Sequence, residues 1–290
     1  MKARRTIAAY AGEDAGHAPI LAHDLFGTGP EPVLVLHSWM GTGRSFDAMK
    51  PYLDTDAFTY AFADLRGYGG SRTIAGEYTA AEVAGDALVL ADHLGWQRFH
   101  LVGHSMSGLA VQRLLVDDIS RAAPRIKRAV GITPVTADGF PADAQMRAFL
   151  RDLIHRPDLT AQGIAAMTGQ RLSARWIGAI AARNIESSDP AAMRGYYRMW
   201  LDADFGAQVA QARPATPLLV IGGRRDLEGF SEARYRATLA RWFPNLELRF
   251  IDDAGHFPMY ETPIYLATLI EAHLRRTDPD PVQLERMIET

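Results

Sequence analysis

Two serines stand two residues apart in Gly103-His104-Ser105-Met106-Ser107-Gly108. A serine hydroxyl attacks poorly until a base takes its proton, and histidine is the base suited to neutral pH. The segment follows the apolar run RFHLVGH and opens a helical pattern. That is the context of a sharp strand-to-helix turn, which lifts one side chain above a sheet. Such a turn crowds the residues two before and two after its tip, so both must be small. With Ser105 at the tip these are Gly103 and Ser107; with Ser107 they would be Ser105 and Leu109, and leucine does not fit. The spacing predicts Ser105 as nucleophile. Ser107 stands where glycine is commoner, and its hydroxyl is suited to capping the helix start.

Nine histidines compete for the role of base. His256, in FIDDAGHFPMYETP, lies in a loop after the last strand-like run, LELRFID, and before a helix opening near Glu261 with Thr262-Pro263. That loop falls on the same side of a parallel sheet as the Ser105 turn. His104 is expected to point back into the fold, and His93, His100 and His273 read as structural. The base needs a carboxylate to fix its tautomer, and Asp226 at the end of VIGGRRD gives the chain order Ser105, Asp226, His256. Asp138, after RAVGIT, is the rival. Asp252 and Asp253 are too close in sequence to turn back on His256 and are expected to shape its loop.

Other chemistries lack their residues. The chain has no cysteine, no HExxH and no clustered ligands for a metal. Its three lysines, Lys2, Lys50 and Lys127, lie outside every motif and leave a Schiff base without a candidate. GTGRS (41–45) lacks the spacing and the lysine of a phosphate loop. Asp64, Arg66 and Gly67 read as a buried turn with a structural ion pair. No cofactor and no metal are expected.

The elements that must position these groups are read from apolar periodicity. TIAAYA, PILAHDLF, PVLVLHS, FTYAFAD, RFHLVGH, RAVGIT, PLLVIGG and LELRFID read as strands, alternating with helical stretches such as AAEVAGDALVLADHLG. The central runs are almost continuously apolar, as in strands of a parallel sheet covered on both faces. This predicts an α/β fold. From about 135 to 213 no strand pattern occurs, and two helical faces do: Met146, Phe149, Leu150, Leu153 and Ile154, then Met193, Tyr196, Tyr197 and Trp200. We expect an α/β core of residues 1–134 and 214–290 with a helical cap, 135–213, inserted in it, and a short helix in the tail TDPDPVQLERMIET. Arg171, Arg175, Arg194 and Arg198 could grip a carboxylate if any faced inward, though a solvated surface is their default.

With 290 residues, 48% of them hydrophobic, the chain can bury a full core. A net charge of −3 with both signs scattered offers no footprint for nucleic acid. MKARR resembles the basic start of a signal peptide, but the next residues, TIAAYAGEDAGHAP, contain no apolar stretch of about 7–15 residues. No run approaches the roughly 18 apolar residues of a membrane-spanning helix. The expectation is a cytoplasmic protein that binds neither nucleic acid nor membrane.

Taken in order, HSWMG (37–41), FADLRGYGGS (62–71), GHSMSG (103–108), IGGRRD (221–226) and AGHFPMYETP (254–263) resemble the α/β-hydrolase superfamily along nearly the whole chain. Within it the chain is most similar to bacterial capped serine esterases and lactonases, including enzymes similar to 3-oxoadipate enol-lactonase. The resemblance implies a mostly parallel eight-stranded sheet, a helical lid, and HSWMG as the oxyanion loop, with the backbone N–H groups of Trp39 and Met106 meeting the developing negative oxygen. The family usually has His-Gly where this chain has His37-Ser38, so Ser38 either crowds the pocket or lends it a hydroxyl. His37, Ser38, Tyr196, Trp200 and Phe257 are candidate pocket residues. The implied activity is cleavage of a small-molecule carboxylic ester or lactone through an acyl-enzyme. Carbon–carbon bond hydrolysis of ring-cleavage products is an alternative, although those relatives carry a glycine-rich oxyanion loop and Asn before the serine. A perhydrolase or acyl transferase would use the same acyl-enzyme, and a small-molecule receptor would keep the fold with little turnover. Related dehalogenases and epoxide hydrolases place Asp where this chain has Ser105.

Overall fold

The computed structural model describes the backbone of residues 5–7 and residues 19–276 in full. The strands are β1 (Arg5–Ile7), β2 (His23–Gly27), β3 (Glu31–Leu36), β4 (Phe58–Ala63), β5 (Phe99–His104), β6 (Ile126–Ile132), β7 (Leu218–Gly223) and β8 (Leu246–Ile251). They form one sheet in the order β1-β2-β4-β3-β5-β6-β7-β8. β2 runs antiparallel to both β1 and β4, and every pairing from β4 to β8 is parallel. Residues 8–11 of the TIAAYA run and the expected tail helix lie outside the described residues.

Burial explains why these strands read as they do. β5 and β7 are buried along their whole length, and β6 at all but one position. Such strands have no solvent face to fill with polar residues. β8 is at the sheet edge, where only Ile251 is fully buried, and its sequence LELRFI alternates accordingly.

Helices cover the faces. α1 (Ala80–His93) starts where the Thr79 side chain accepts the Glu82 N–H, and it stops before Gly95, whose φ of 73° is left-handed. α2 (Ser107–Ile119) follows β5 directly. Between β6 and β7 come α3 (Ala144–Leu153), α4 (Pro157–Met167), α5 (Ala174–Ser187), α6 (Pro190–Asp202) and α7 (Gly206–Ala212). Asp143, Ser173 and Asp189 cap α3, α5 and α6 with side-chain oxygens. α8 (Glu232–Ala237) and α9 (Leu239–Trp242) precede β8; α10 (Pro258–Glu261) and α11 (Pro263–Leu274) come after it. Among the described residues no helix is long and apolar enough to cross a membrane.

A parallel sheet sends its strand ends to one edge, so the loops after β3, β5, β7 and β8 gather there. Those loops carry Trp39, Ser105, Asp226 and His256. The topology alone brings four segments, separated by up to about 200 residues, to one place.

Candidate active site

Ser105 sits at the tip of the turn between β5 and α2 with φ of 55°, a conformation that a residue with a side chain adopts at a cost. The surroundings hold it there. Its N–H donates to the Ile132 carbonyl at 2.9 Å, and its carbonyl accepts from Gly108 and Val135 at 2.9 Å each. A Cβ on Gly103 would lie 2.6 Å from Val111 Cγ2 and 2.7 Å from the Ser107 carbonyl oxygen, so glycine is required two residues before the tip. Ser107 does not cap the helix as expected: α2 begins without a side-chain cap. Its hydroxyl instead donates to the His37 carbonyl at 2.5 Å, which the loop after β3 brings to it.

His256 joins the serine to the acid. Its Nδ1–H donates to Asp226 Oδ2 at 2.7 Å, which leaves Nε2 to accept from the Ser105 hydroxyl at 2.9 Å. Both side chains of the acid–base pair are almost wholly buried. Burial pushes the Asp226 carboxyl above the ordinary carboxylate range, while the His256 N–H and the Leu227 N–H, 2.7 Å from Oδ1, pull it back. The rival acid is engaged elsewhere: Asp138 accepts from Arg234 at 2.7 Å and from the Thr136 hydroxyl. Asp252 pairs with Arg224 at the surface. Asp64 accepts the N–H groups of Gly43 and Gly70, and Arg66 makes a two-pronged pair with Asp86, so both organise turns.

The loop carrying His256 is held by residues that sequence reasoning missed. Glu261 accepts the N–H of Gly255 at 2.9 Å with one oxygen and that of Phe257 at 3.0 Å with the other, clasping His256 from both sides. Burial pushes this carboxyl up, and those two N–H groups and Arg171 pull it down. The His256 N–H donates to the Met167 carbonyl at the end of α4, and its carbonyl accepts from His104 Nε2–H at 2.8 Å. His104 thus points back into the fold, where burial holds its imidazole neutral. The one hint of Glu261 in the sequence is an acidic residue at the start of the helix after the loop.

The loop after β3 is pinned at every carbonyl from 37 to 39. His37 oxygen takes the Ser107 hydroxyl, Ser38 oxygen takes His37 Nδ1–H at 2.7 Å, and Trp39 oxygen takes the Tyr68 hydroxyl at 2.8 Å. The Trp39 indole N–H donates to the Met193 carbonyl in α6 at 2.9 Å. Among the described residues, neither the Trp39 nor the Met106 backbone N–H donates to a protein acceptor. Two backbone donors are therefore left unspent, one on the residue after Ser105 and one on a residue that lines the same cavity as Ser105.

A cavity opens at Ser105 and His256, and Ser38, Trp39, Trp200 and Phe257 are among the residues that line it. Apolar side chains make up most of the rest, including Met146 and Leu150 of α3 and Phe230. Two expected pocket residues lie elsewhere. His37 is buried with Nε2 accepting the Leu65 N–H at 3.0 Å, and Tyr196 packs between Tyr68 and Tyr78, ring centroids 5.7 and 5.1 Å away. Nor does any of the four arginines face the cavity. Arg171 pairs with Glu261, Arg194 with His155, and Arg175 and Arg198 are exposed. Lys50 is buried but bound to Asp24 and Asp47 at 2.7 Å each. Among the described residues no group of three or more His, Cys, Asp or Glu side chains could hold a metal ion.

Comparison with known proteins agrees with the architecture. A family described as alpha/beta hydrolase fold matches residues 31–183. A 2-hydroxymuconate semialdehyde hydrolase of Pseudomonas putida is 30% identical over 230 residues, covering 74% of this chain and 76% of that protein. A fluoroacetate dehalogenase of a Burkholderia species is 36% identical over 96 residues, covering 31% of this chain; the chain thus matches under a third, 31%, of that relative's length. Among solved structures, the enol-lactonase from Burkholderia xenovorans LB400 matches with a TM-score of 0.73 at 20% identity, covering 88% of this chain and 97% of that one, a likeness of fold. By its family match and its architecture, the chain is a member of the alpha/beta hydrolase fold family.

Proposed function

We propose that the protein is a hydrolase of small-molecule carboxylic esters or lactones that works through an acyl-enzyme and needs no cofactor. The observation that carries this reading is the unbroken chain from Ser105 Oγ through His256 to Asp226 at the mouth of an apolar cavity. His256 Nε2 takes the Ser105 proton as Oγ bonds to the substrate carbonyl carbon, and Asp226 stabilises the imidazolium. The carbonyl electron pair moves to oxygen, where the Trp39 and Met106 N–H groups donate; such a donor typically contributes about 3–4 kcal/mol. As the electron pair returns, the C–O bond to the leaving group breaks and His256 passes its proton to the departing oxygen. Water, deprotonated by His256, repeats the sequence on the acyl-enzyme and frees the acid. In this reading residues 135–213 are the cap over the cavity, and the protein works in the cytoplasm.

Hydrolysis of short-chain p-nitrophenyl esters tests the proposal. The native protein should turn them over and Ser105→Ala should not; a folded native protein without turnover would favour a binding role instead. A second reading, hydrolysis of a carbon–carbon bond, is favoured by the 2-hydroxymuconate semialdehyde hydrolase relative. It requires turnover of a vinylogous diketone with ester turnover far slower.

A further inference from the structure

Met40, next to Trp39, lines two cavities at once. One is the cavity at Ser105. The other, a smaller one, lies among α3 to α6, with Leu153, Ile154, Thr160, Asn184 and Met193 in its wall. A methionine is flexible and shape-tolerant, so the partition it forms can yield to a chain threaded past it.

The hydroxyls of the second cavity are paired, and the Asn184 carboxamide is not. The Thr160 hydroxyl donates to the Leu153 carbonyl at 3.0 Å, and the Ser188 hydroxyl donates to the Asn184 carbonyl at 2.7 Å. Asn184 is only 6% exposed, and its Nδ2 has no hydrogen-bond partner among the described residues. A buried amide N–H without a protein acceptor is costly unless something else accepts from it, and a ligand oxygen placed there would do so. Charge decides what kind of oxygen. Among the described residues, His256 is the one titratable group in the wall of the first cavity, and the wall of the second has none. A carboxylate would enter without a counterion, and its desolvation would go uncompensated.

We propose that the second cavity is a subsite for the remote end of the substrate, reached past Met40, where the Asn184 carboxamide donates to a neutral acceptor such as a ketone, ether or amide oxygen. The substrates are then uncharged esters or lactones with that oxygen one apolar chain away from the scissile carbonyl. This inference rests on the ester-hydrolase reading.

The experiment uses matched esters of equal length in which one methylene is replaced by a ketone or ether, walked along the acyl chain in one series and the alcohol chain in another. A terminal-carboxylate ester of each length completes the set. At one position the acceptor should raise kcat/KM of the native protein about tenfold over its methylene partner, and the carboxylate should lower it at least tenfold. Asn184→Leu should bring the acceptor preference close to one, read as a ratio so that a partly unfolded preparation cancels. No preferred position in either series, or a preference unchanged in Asn184→Leu, would overturn the subsite. Turnover of p-nitrophenyl acetate, measured alongside, separates the two failures. If acetate is hydrolysed while no acceptor is preferred, the subsite alone falls; if acetate is not hydrolysed, the ester-hydrolase reading falls with it.

Discussion

Replacing Ser107 by alanine removes one oxygen and should be felt at the catalytic step. In the native fold that oxygen donates to the His37 carbonyl, which sits in a fully buried residue and has no other partner among the described residues. A buried carbonyl left unpaired costs about 1–3 kcal/mol. The unpaired carbonyl lowers the stability of the fold, and the loop that carries it relaxes toward another position. Movement would displace the Trp39 N–H two residues away, the proposed oxyanion donor, and such a donor typically contributes about 3–4 kcal/mol. Ser107→Ala should therefore lower unfolding free energy and catalysis together, with kcat falling about 5- to 150-fold if the 1–3 kcal/mol is expressed in the transition state. KM should stay within about twofold, since the hydroxyl does not line the cavity. A trifluoromethyl ketone, which mimics the tetrahedral oxyanion, should lose affinity in parallel with kcat. Urea unfolding gives the stability, and steady-state kinetics on a nitrophenyl ester gives the rest. An unchanged kcat with reduced stability would refute the link between the turn and the oxyanion loop, and so would a raised KM at constant kcat.

Glu261→Gln turns an acceptor for two peptide N–H groups into a donor toward one of them. With hydrogen bonds to a charged group worth about 1.5–3 kcal/mol, kcat should fall at least tenfold with the secondary structure retained by circular dichroism. Asp226→Asn should cost roughly 10⁴-fold in kcat by stabilising the wrong tautomer of His256, whereas Asp138→Asn should leave kcat within a few-fold, because Asp138 is bound to Arg234 and not to the relay. Stability should fall in mild acid. Burial and Arg128 hold buried His273 down to about 4, below its ordinary 6.5, so between these values the unfolded chain binds a proton that the folded one does not. His273 alone then removes about 2 kcal/mol between pH 7 and pH 5, and urea unfolding of His273→Phe should show a loss smaller by that amount over the same interval. An equal loss in both proteins would contradict the assignment.

The arrangement of Ser105, Asp226 and His256 was legible because each comes after an apolar run, and parallel strands deliver their ends to one edge of the sheet. Smallness two residues either side chose Ser105 over Ser107, and the Gly103 contacts give the steric reason. What the sequence hid depends on loops meeting across long separations. Local capping logic suggested one partner for the Ser107 hydroxyl, but a carbonyl seventy residues away took it. Helical spacing marked Tyr196 and Trp200 as one buried face without saying against what each is buried; Trp200 reaches the cavity, while Tyr196 is taken up by Tyr68 and Tyr78. His37 neighbours a cavity residue in sequence, yet its ring turns to the Leu65 N–H. Glu261 acts on backbone N–H groups, and no residue pattern announces that.

The central claim is that Ser105 is an activated nucleophile. Fluorophosphonate labelling of the native protein, with the modified peptide mapped by tandem mass spectrometry, tests it most directly. One label per chain is expected, on Ser105, abolished in Ser105→Ala and slowed sharply in Asp226→Asn. Label on Ser107, or a folded protein that takes up none, would contradict it.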